Sequence, residues 1–228
     1  MKKILLFDID GTLLLTGGAG KIAFEKAFHE LFGIANSWGE TNPHGKTDPM
    51  IFEEIALRVL KRPVSRDENS MLVERYLYHF RKEIKRSPNF RLMPGIPSLL
   101  QTLSKEKNLI LGIATGNLEE AGWLKLERGG LRDFFPFGGF GSDSSERSKI
   151  ILTAIKRAEK TSGQKANLDQ VYIIGDTHYD VRAAKKVGLK SIGVVNESVN
   201  NEETFGNEKP THLLTDLSNT GLFLKLIN

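Results

Sequence analysis

The sequence predicts an α/β fold, in which a parallel sheet is covered by helices and interrupted by a helical insert. Continuous apolar runs occur at residues 4–7, 109–114 and 171–174, with segments of helical periodicity between them. Such runs, bounded by turn residues, are typical of fully buried parallel strands. More chain separates the first two runs than one crossover helix needs, which predicts an inserted domain.

Each of these strands runs directly into polar residues. Residues 191–195 predict a fourth strand and 212–214 a weaker fifth. In an open parallel sheet the ligand site lies beyond the carboxyl ends of the strands, so we expect the polar groups to share one site. The three polar segments are Asp8-Ile9-Asp10-Gly11-Thr12, Thr115-Gly116-Asn117 and Gly175-Asp176-Thr177.

Helices are predicted at 96–103, 149–160 and 180–188, where apolar residues recur every three to four positions. Pro94-Gly95 opens the first of these helices, and Gly188 is expected to cap the last. Residues 196–207, rich in Asn and Glu, predict an exposed loop.

The insert is assigned to residues 16–89, which leaves 1–15 and 90–228 as the core. Asp48-Pro49 marks a helix start, with Asp48 as the N-cap. We expect an all-helical cap over the strand ends, joined through linkers at 17–20 and 87–89. The predicted cap helices cover 22–32, 49–60 and 71–86, and their expected core residues are Phe24, Phe28, Phe52 and Tyr76.

Composition excludes several classes of protein. The 228 residues carry a formal charge of +4, with the basic residues spread along the chain, which gives no support for nucleic-acid binding. Cysteine is absent, so disulfides, thiol nucleophiles and thiolate metal sites are excluded. No stretch approaches the roughly 20 apolar residues of a membrane span. We therefore expect a cytoplasmic protein without membrane or nucleic-acid partners.

Four aspartates are predicted to meet at the carboxyl edge of the sheet: Asp8, Asp10, Asp176 and Asp180. Each also has an ordinary structural explanation, because Asp-Gly forms turns and Asp caps helices. Gathered together, however, their charges would repel strongly unless a cation neutralised them. An all-oxygen ligand set favours Mg²⁺ over Zn²⁺.

Thr115-Gly116-Asn117 supplies the opposite chemistry at the next strand end. A hydroxyl and free backbone N–H groups at a helix start bind anions well. The structural alternative is a capping box, in which Asn117 bonds toward Glu120. Both arrangements can hold at once.

The ordered motifs Asp-x-Asp-Gly-Thr, Thr-Gly-Asn and Gly-Asp-x-x-x-Asp resemble those of the haloacid dehalogenase-like (HAD) hydrolase superfamily, nearest to its phosphoglycolate phosphatase-like branch. The resemblance covers nearly the whole chain, including Pro94-Gly95-Ile96 where the core resumes. It implies a Rossmann-like parallel-sheet core with an inserted helical cap.

The resemblance also implies roles for the aspartates. Asp8 is the expected nucleophile, forming an aspartyl phosphate, and Asp10 the general acid and then base. The side chains of Asp8 and Asp176 and the backbone carbonyl of Asp10 would bind Mg²⁺. Asp180 would be a further ligand or a neighbour that orients one.

Phosphate binding is assigned to Thr115 and the neighbouring Gly116 and Asn117. The superfamily also places a cation before the last motif, often as Lys-Pro, which this chain lacks there. Arg147 and Lys149 are the candidates, and we favour Arg147 because it sits better relative to the following helix.

Two loops carry further candidates. Residues 44–48 resemble a cap loop that reaches toward the substrate, so Lys46 or His44 is expected to contact a substrate anion. Asp143 either adds an oxygen near the metal or belongs to a turn that leads into the next helix.

The sequence thus predicts a Mg²⁺-dependent phosphatase for a small phosphorylated metabolite, such as phosphoglycolate or a sugar phosphate. A phosphomutase of the β-phosphoglucomutase type would share every core residue. A non-catalytic module that binds phosphate or protein is the third possibility, although the intact aspartate set argues against it.

Overall fold

A parallel six-stranded sheet forms the centre of the computed structural model, which describes residues 2–195 and 205–228. The strands, in chain order, are β1 (Lys3–Phe7), β2 (Leu14–Leu15), β3 (Arg91–Leu92), β4 (Leu109–Ala114), β5 (Gly138–Gly139), β6 (Val171–Gly175), β7 (Lys190–Val194) and β8 (His212–Leu214). The sheet order is β5-β4-β1-β6-β7-β8. The predicted α/β class with a parallel sheet is confirmed. Of the loop predicted at 196–207, residues 196–204 lie outside the described part.

The register of the three central strands brings their carboxyl ends level. Phe7, the last residue of β1, is paired with Ile113 of β4 on one side and Ile174 of β6 on the other. The residues that follow β1, β4 and β6 therefore leave the sheet at the same edge. This edge is where the predicted polar groups meet.

Helices cover both faces of the sheet. One face packs against α4, α5 and α8, and the other against α6 and α7, each over its own apolar cluster. The helices of the described chain are α1 (Ala19–Phe32), α2 (Asp48–Leu60), α3 (Arg66–Arg86), α4 (Ile96–Leu103), α5 (Glu119–Arg128), α6 (Arg147–Ser162), α7 (His178–Lys186) and α8 (Thr220–Ile227). None of them is long and apolar enough to cross a membrane.

Helices α1, α2 and α3 form a separate layer with an aromatic core. Phe24, Phe28, Phe52 and Tyr76 are all buried there, as their helical spacing predicts. The rings of Phe24 and Tyr76 lie 4.4 Å apart between centroids. Ring contacts of this kind stabilise the layer beyond the burial of apolar area.

The short strands β2 and β3 pair antiparallel at the base of this helical layer. Leu14 is paired with Leu92, and the Met93 N–H donates to the Leu13 carbonyl at 2.9 Å. The Ser87 hydroxyl donates to the Thr16 carbonyl at 2.7 Å. The two chain segments that lead into and out of the helices are thereby held side by side.

Several helix starts differ from the sequence predictions. The N-cap of α2 is Thr47, whose extended backbone lets its hydroxyl accept from the Met50 N–H; Asp48 is already helical. Helix α1 begins at Ala19, inside the predicted linker. Helix α3 begins at Arg66, because Ser65 and Glu68 form a capping box that the periodicity does not reveal.

Candidate active site

Asp8 lies at the floor of the site, directly after β1. Its backbone N–H donates to the Ile174 carbonyl at 2.9 Å, which extends the backbone pairing of β1 with β6 by one residue. The side chain is buried, and its Oδ2 lies 3.5 Å from Nη2 of Arg147. Asp8 Oδ1 is buried without a hydrogen-bond partner among the described residues. A buried oxygen of this kind is rare and points to a missing ligand.

Asp176 and Asp180 close around Asp8. One carboxylate oxygen from each of these three residues lies within 4.8 Å of the others. The Thr12 hydroxyl donates to Asp176 Oδ1 at 3.2 Å. Asp180 Oδ2 accepts from the Thr177 backbone N–H at 3.2 Å, as in a capping box at the start of α7, and from the Thr177 hydroxyl at 2.7 Å. Asp180 is thus both a helix-capping residue and a member of the cluster.

Two glycines make room for these carboxylates. Gly11 has a φ of +81°, and a Cβ there would lie 2.2 Å from Asp176 Oδ2. A Cβ on Gly175 would lie 2.4 Å from Asp180 Cγ. Any other residue at either position would displace a carboxylate of the cluster.

The cluster is short of positive charge. Burial raises the pKa of Asp8 to about 6, Arg147 opposes the shift, and Asp180 and Asp10 add to it. The pKa of Asp176 is raised well above its usual value, mainly by burial and then by the negative charges of Asp8 and Asp180. Burial disfavours the charged form of Arg147, but Asp180 and Asp8 outweigh it and raise its pKa. The closely spaced oxygens and the orphaned Asp8 Oδ1 fit a hard divalent cation.

Arg147, the first residue of α6, is the cation that reaches this cluster. Its side chain is largely buried, pairs with Asp180 and Asp8, and donates to the Gly45 carbonyl at 3.3 Å. The Lys149 side chain is 68% exposed and pairs with Glu146 at 3.2 Å. Of the two candidate cations, the structure thus brings Arg147 to the cluster and leaves Lys149 outside the cavity. Two positions along a helix rotate a side chain by about 200°, which turns Lys149 away.

Asp143 lies outside the cluster as well. Its carboxylate pairs with Arg157 at 2.8 Å and accepts from the Phe140 N–H at 2.9 Å. Of the two explanations that the sequence allowed, the turn is the one observed, and Asp143 supplies no oxygen to the metal-binding cluster.

Thr115 is buried beside the cluster, in the turn between β4 and α5. The Asn117 N–H donates to its hydroxyl at 3.4 Å. The expected capping box of Asn117 and Glu120 is absent, because Glu120 pairs with Arg81 and the Leu118 N–H donates to Asp48 Oδ2 at 2.8 Å. A residue of the helical layer thus caps a helix of the core.

A cavity of about 370 Å³ lies between the strand ends and the helical layer. It brings most of the sequence-predicted residues together, although Asp180 is not among the residues that line it. Those lining the cavity are Asp8, Asp10, Thr115, Gly116, Asn117, Lys46, His44, Arg147 and Asp176. Lys46 also forms an ion pair with Glu54.

Lys125 lines the same cavity and was missed by the sequence reasoning. Its side chain is 6% exposed, and its Nζ lies 2.5 Å from Oδ2 of Asp10. Nearby, burial raises the pKa of Asp48 to about 6, and Lys125 opposes this shift. Lys125 follows Ala121 by four residues on the buried face of α5, so a lysine on an apolar stripe was the available signal.

The chain is similar to known hydrolases and phosphatases. The model of the family described as haloacid dehalogenase-like hydrolase matches residues 5–194. The probable phosphatase IndB of Dickeya dadantii (strain 3937) is 26% identical over 198 residues, 85% of this chain and 81% of the relative. A phosphoglycolate phosphatase of Aquifex aeolicus (strain VF5) is 28% identical over 191 residues, 83% of each chain.

A solved structure shows the same fold. The crystal structure of a hydrolase from Pseudomonas syringae superimposes with a TM-score of 0.72 at 19% identity, covering 99% of both chains. The predicted resemblance to the HAD superfamily and its phosphoglycolate phosphatase-like branch is confirmed. This chain belongs to the haloacid dehalogenase-like hydrolase family.

Proposed function

We propose that this hydrolase is a Mg²⁺-dependent phosphatase that cleaves a small phosphomonoester through an aspartyl phosphate. The observation that carries the proposal is the buried, unpartnered Oδ1 of Asp8 at the floor of a cavity. The family and the phosphatases among the relatives support the reaction class.

Asp8 and Asp10 would perform the covalent chemistry. One carboxylate oxygen of Asp8 attacks phosphorus, the bond from phosphorus to the ester oxygen breaks, and Asp10 donates a proton to the departing alcohol. Water then attacks the aspartyl phosphate while Asp10 accepts its proton, releasing phosphate and free Asp8. Asp10 suits both steps because its side chain lines the cavity and is 42% exposed.

The negative charge on the transferring phosphoryl group would be stabilised by Thr115, the backbone amides of Gly116 and Asn117, and Arg147. Mg²⁺, held by Asp8, Asp176 and the Asp10 carbonyl, would supply charge neutralisation for the phosphoryl oxygens. Asp180 is engaged by Arg147 and by Thr177, which supports a role in orienting Arg147 rather than in binding the metal.

Lys125 would act as a positioning residue for Asp10. The ion pair holds the Asp10 carboxylate at the cavity. Because the Lys125 side chain is buried, it has few other conformations available. Lys125 also lies on α5, whose first turn is capped by Asp48.

We further propose that residues 16–89 act as a cap on a core of residues 1–15 and 90–228. The Asp48 N–H donates to the Gly116 carbonyl at 2.8 Å, and Arg147 reaches the Gly45 carbonyl. Docking of the cap would exclude bulk water and complete the site.

The proposal is tested by phosphate release from a panel of small phosphomonoesters, including phosphoglycolate, with Mg²⁺ or with EDTA. We expect release that requires Mg²⁺ and is abolished in Asp8→Asn. A sugar phosphate converted to its isomer without phosphate release would instead identify a phosphomutase. Absence of release and of isomerisation from a folded, Mg²⁺-loaded protein would contradict an enzymatic role.

A further inference from the structure

The turn of residues 115–118, which would hold the transferring phosphate, is hydrogen-bonded to the helical layer. Asp48, the first residue of α2, contacts it at two points. The Asp48 backbone N–H donates to the Gly116 carbonyl at 2.8 Å, and Asp48 Oδ2 accepts from the Leu118 N–H at 2.8 Å. Because these bonds lie on either side of Asn117, they fix the shape of the turn as well as its distance from α2.

Asn117 connects Asp48 to the hydroxyl of Thr115. That hydroxyl donates to Asn117 Oδ1 at 3.3 Å and accepts from the Asn117 N–H at 3.4 Å. Burial raises the pKa of Asp48 to about 6, and Lys125 opposes the rise. Hydrogen bonds from the Leu118 N–H and the Asn117 side chain stabilise the same carboxylate. The Asn117 amide thus lies between Asp48 and the hydroxyl that is assigned to phosphate binding.

Helix α5 depends on other elements for the acceptors at its start. Its N-cap is Leu118, whose side chain cannot accept a hydrogen bond. The core supplies one acceptor, because the Ser142 hydroxyl accepts from the Glu119 N–H at 2.9 Å. The helical layer supplies another, the carboxylate of Asp48. The start of α5 is therefore fully hydrogen-bonded only when the helical layer is docked on the core.

We propose that Asp48 is a positioning residue for the phosphate-binding turn and holds it, from the docked helical layer, in the conformation that binds phosphate. This inference rests on the proposed phosphatase function. Coupling between two sites is reciprocal, so phosphate bound at the turn must favour docking of the cap loop, residues 44–48, by the same factor. The cap would thus respond to the phosphate group that all phosphomonoesters share.

The first test is calorimetric titration of the Mg²⁺-loaded protein with inorganic phosphate. Asp48→Ala removes the acceptor of the Leu118 N–H and keeps the backbone bond to Gly116. We expect its phosphate affinity to fall at least about fivefold. Asp48→Asn keeps an acceptor without the charge and should stay within about twofold of the original. Equal losses in both variants would place the effect in the charge of Asp48 beside Lys125 and Asp10, and would overturn the inference.

The matched control is Asp67→Ala. Asp67 is an exposed aspartate in the first turn of α3, another helix of the same layer. Its removal should leave phosphate affinity unchanged. Phosphate binding that is equal in the original protein and Asp48→Ala would overturn this inference alone. Absence of phosphate binding by the original protein would contradict the phosphate site itself, and with it the proposed function.

Amide hydrogen exchange tests the reciprocal effect, which a merely structural role for Asp48 would not produce. We expect phosphate to slow exchange at residues 44–48 and 116–118 of the original protein, but only at 116–118 of Asp48→Ala. Exchange at 44–48 that does not respond to phosphate in the original protein would contradict the coupling. In steady-state kinetics, Asp48→Ala should raise KM more than it lowers kcat, because the lost contact supports phosphate binding in the ground state.

Discussion

Lys125 Nζ lies 2.5 Å from Oδ2 of Asp10, and it reaches that oxygen from a helix 115 residues further along the chain. The lysine is buried while the aspartate faces the cavity. An exposed ion pair contributes little, but one with a desolvated member holds its partner in a defined position. In the proposed reaction, the position of Asp10 decides whether the departing alcohol receives its proton.

Replacing Lys125 with methionine keeps the length of the side chain and removes the charge. We expect kcat to fall about 10- to 100-fold because Asp10 loses its fixed position, whereas inhibition by inorganic phosphate stays unchanged. Lys125→Arg should recover part of the loss. Steady-state kinetics on a confirmed substrate provide the measurement.

The control for this prediction is Lys149→Met, which removes a lysine that is 68% exposed on α6. Activity within about twofold of the original is expected. Comparable losses in the two variants would argue against a specific role for Lys125.

Asp48 should make stability depend on pH. Its folded-state pKa is raised from 3.8 to about 6 by burial, against the opposing effect of Lys125, so the folded state retains a proton that the unfolded state has lost. The resulting stability is complete at low pH and is lost as pH rises from about 4 to 6, amounting to at most about 3 kcal/mol.

Asp48→Asn keeps an acceptor for the Leu118 N–H and removes the titration. Relative to the original protein, this variant should gain unfolding free energy between pH 4 and pH 7, measured by urea unfolding in EDTA. Parallel pH dependences in the two proteins would show that Asp48 does not titrate as described.

Asp176→Asn should separate metal binding from folding. Removal of one buried carboxylate relieves repulsion, so we expect the thermal midpoint without metal to rise. The stabilisation by Mg²⁺ should shrink, because affinity falls by at least about tenfold. A lower midpoint without metal would instead assign Asp176 a purely structural role. Asp143→Asn, which alters the Arg157 pair, should leave the Mg²⁺-dependent shift unchanged.

Gly116→Ala should keep the cap from docking. The added Cβ would lie 2.5 Å from the Lys46 carbonyl oxygen and 3.0 Å from Thr47 Cα, so the cap loop must move. We expect kcat/KM to drop at least about tenfold and the loop at 43–47 to become more sensitive to protease. Gly221→Ala on the exposed side of α8, where the new Cβ would lie 3.7 Å from its nearest neighbour, should change neither quantity. Unaltered kinetics in Gly116→Ala would contradict the proposed docking.

Periodicity and turn residues were sufficient to predict the strands that position the site. Asp8 and Asp176 follow continuous apolar runs. In a parallel sheet the ends of such strands lie at the same edge, independently of the length and sequence of the connecting loops. The two-residue strand β5 escaped prediction because Gly138-Gly139 has no side chains to form a pattern.

Contacts between side chains of distant elements could not be predicted from periodicity and turn residues. Lys125 meets Asp10 because α5 lies against the segment that follows β1, whereas Asp48 caps α5 because the helical layer is folded against that helix. The choice between Arg147 and Lys149 depended on where α6 begins, and a shift of two residues changes the face that a side chain occupies.

The central claim, that Asp8 carries the phosphoryl group, is tested most directly by trapping the intermediate. Protein mixed with Mg²⁺ and a confirmed substrate is acid-quenched within one turnover, reduced with borohydride and digested for mass spectrometry. Reduction converts an acyl phosphate to homoserine, and we predict homoserine at position 8, with Asp10 and Asp176 unmodified. Substrate turnover without modification at Asp8, or modification of another aspartate in its place, would contradict the account.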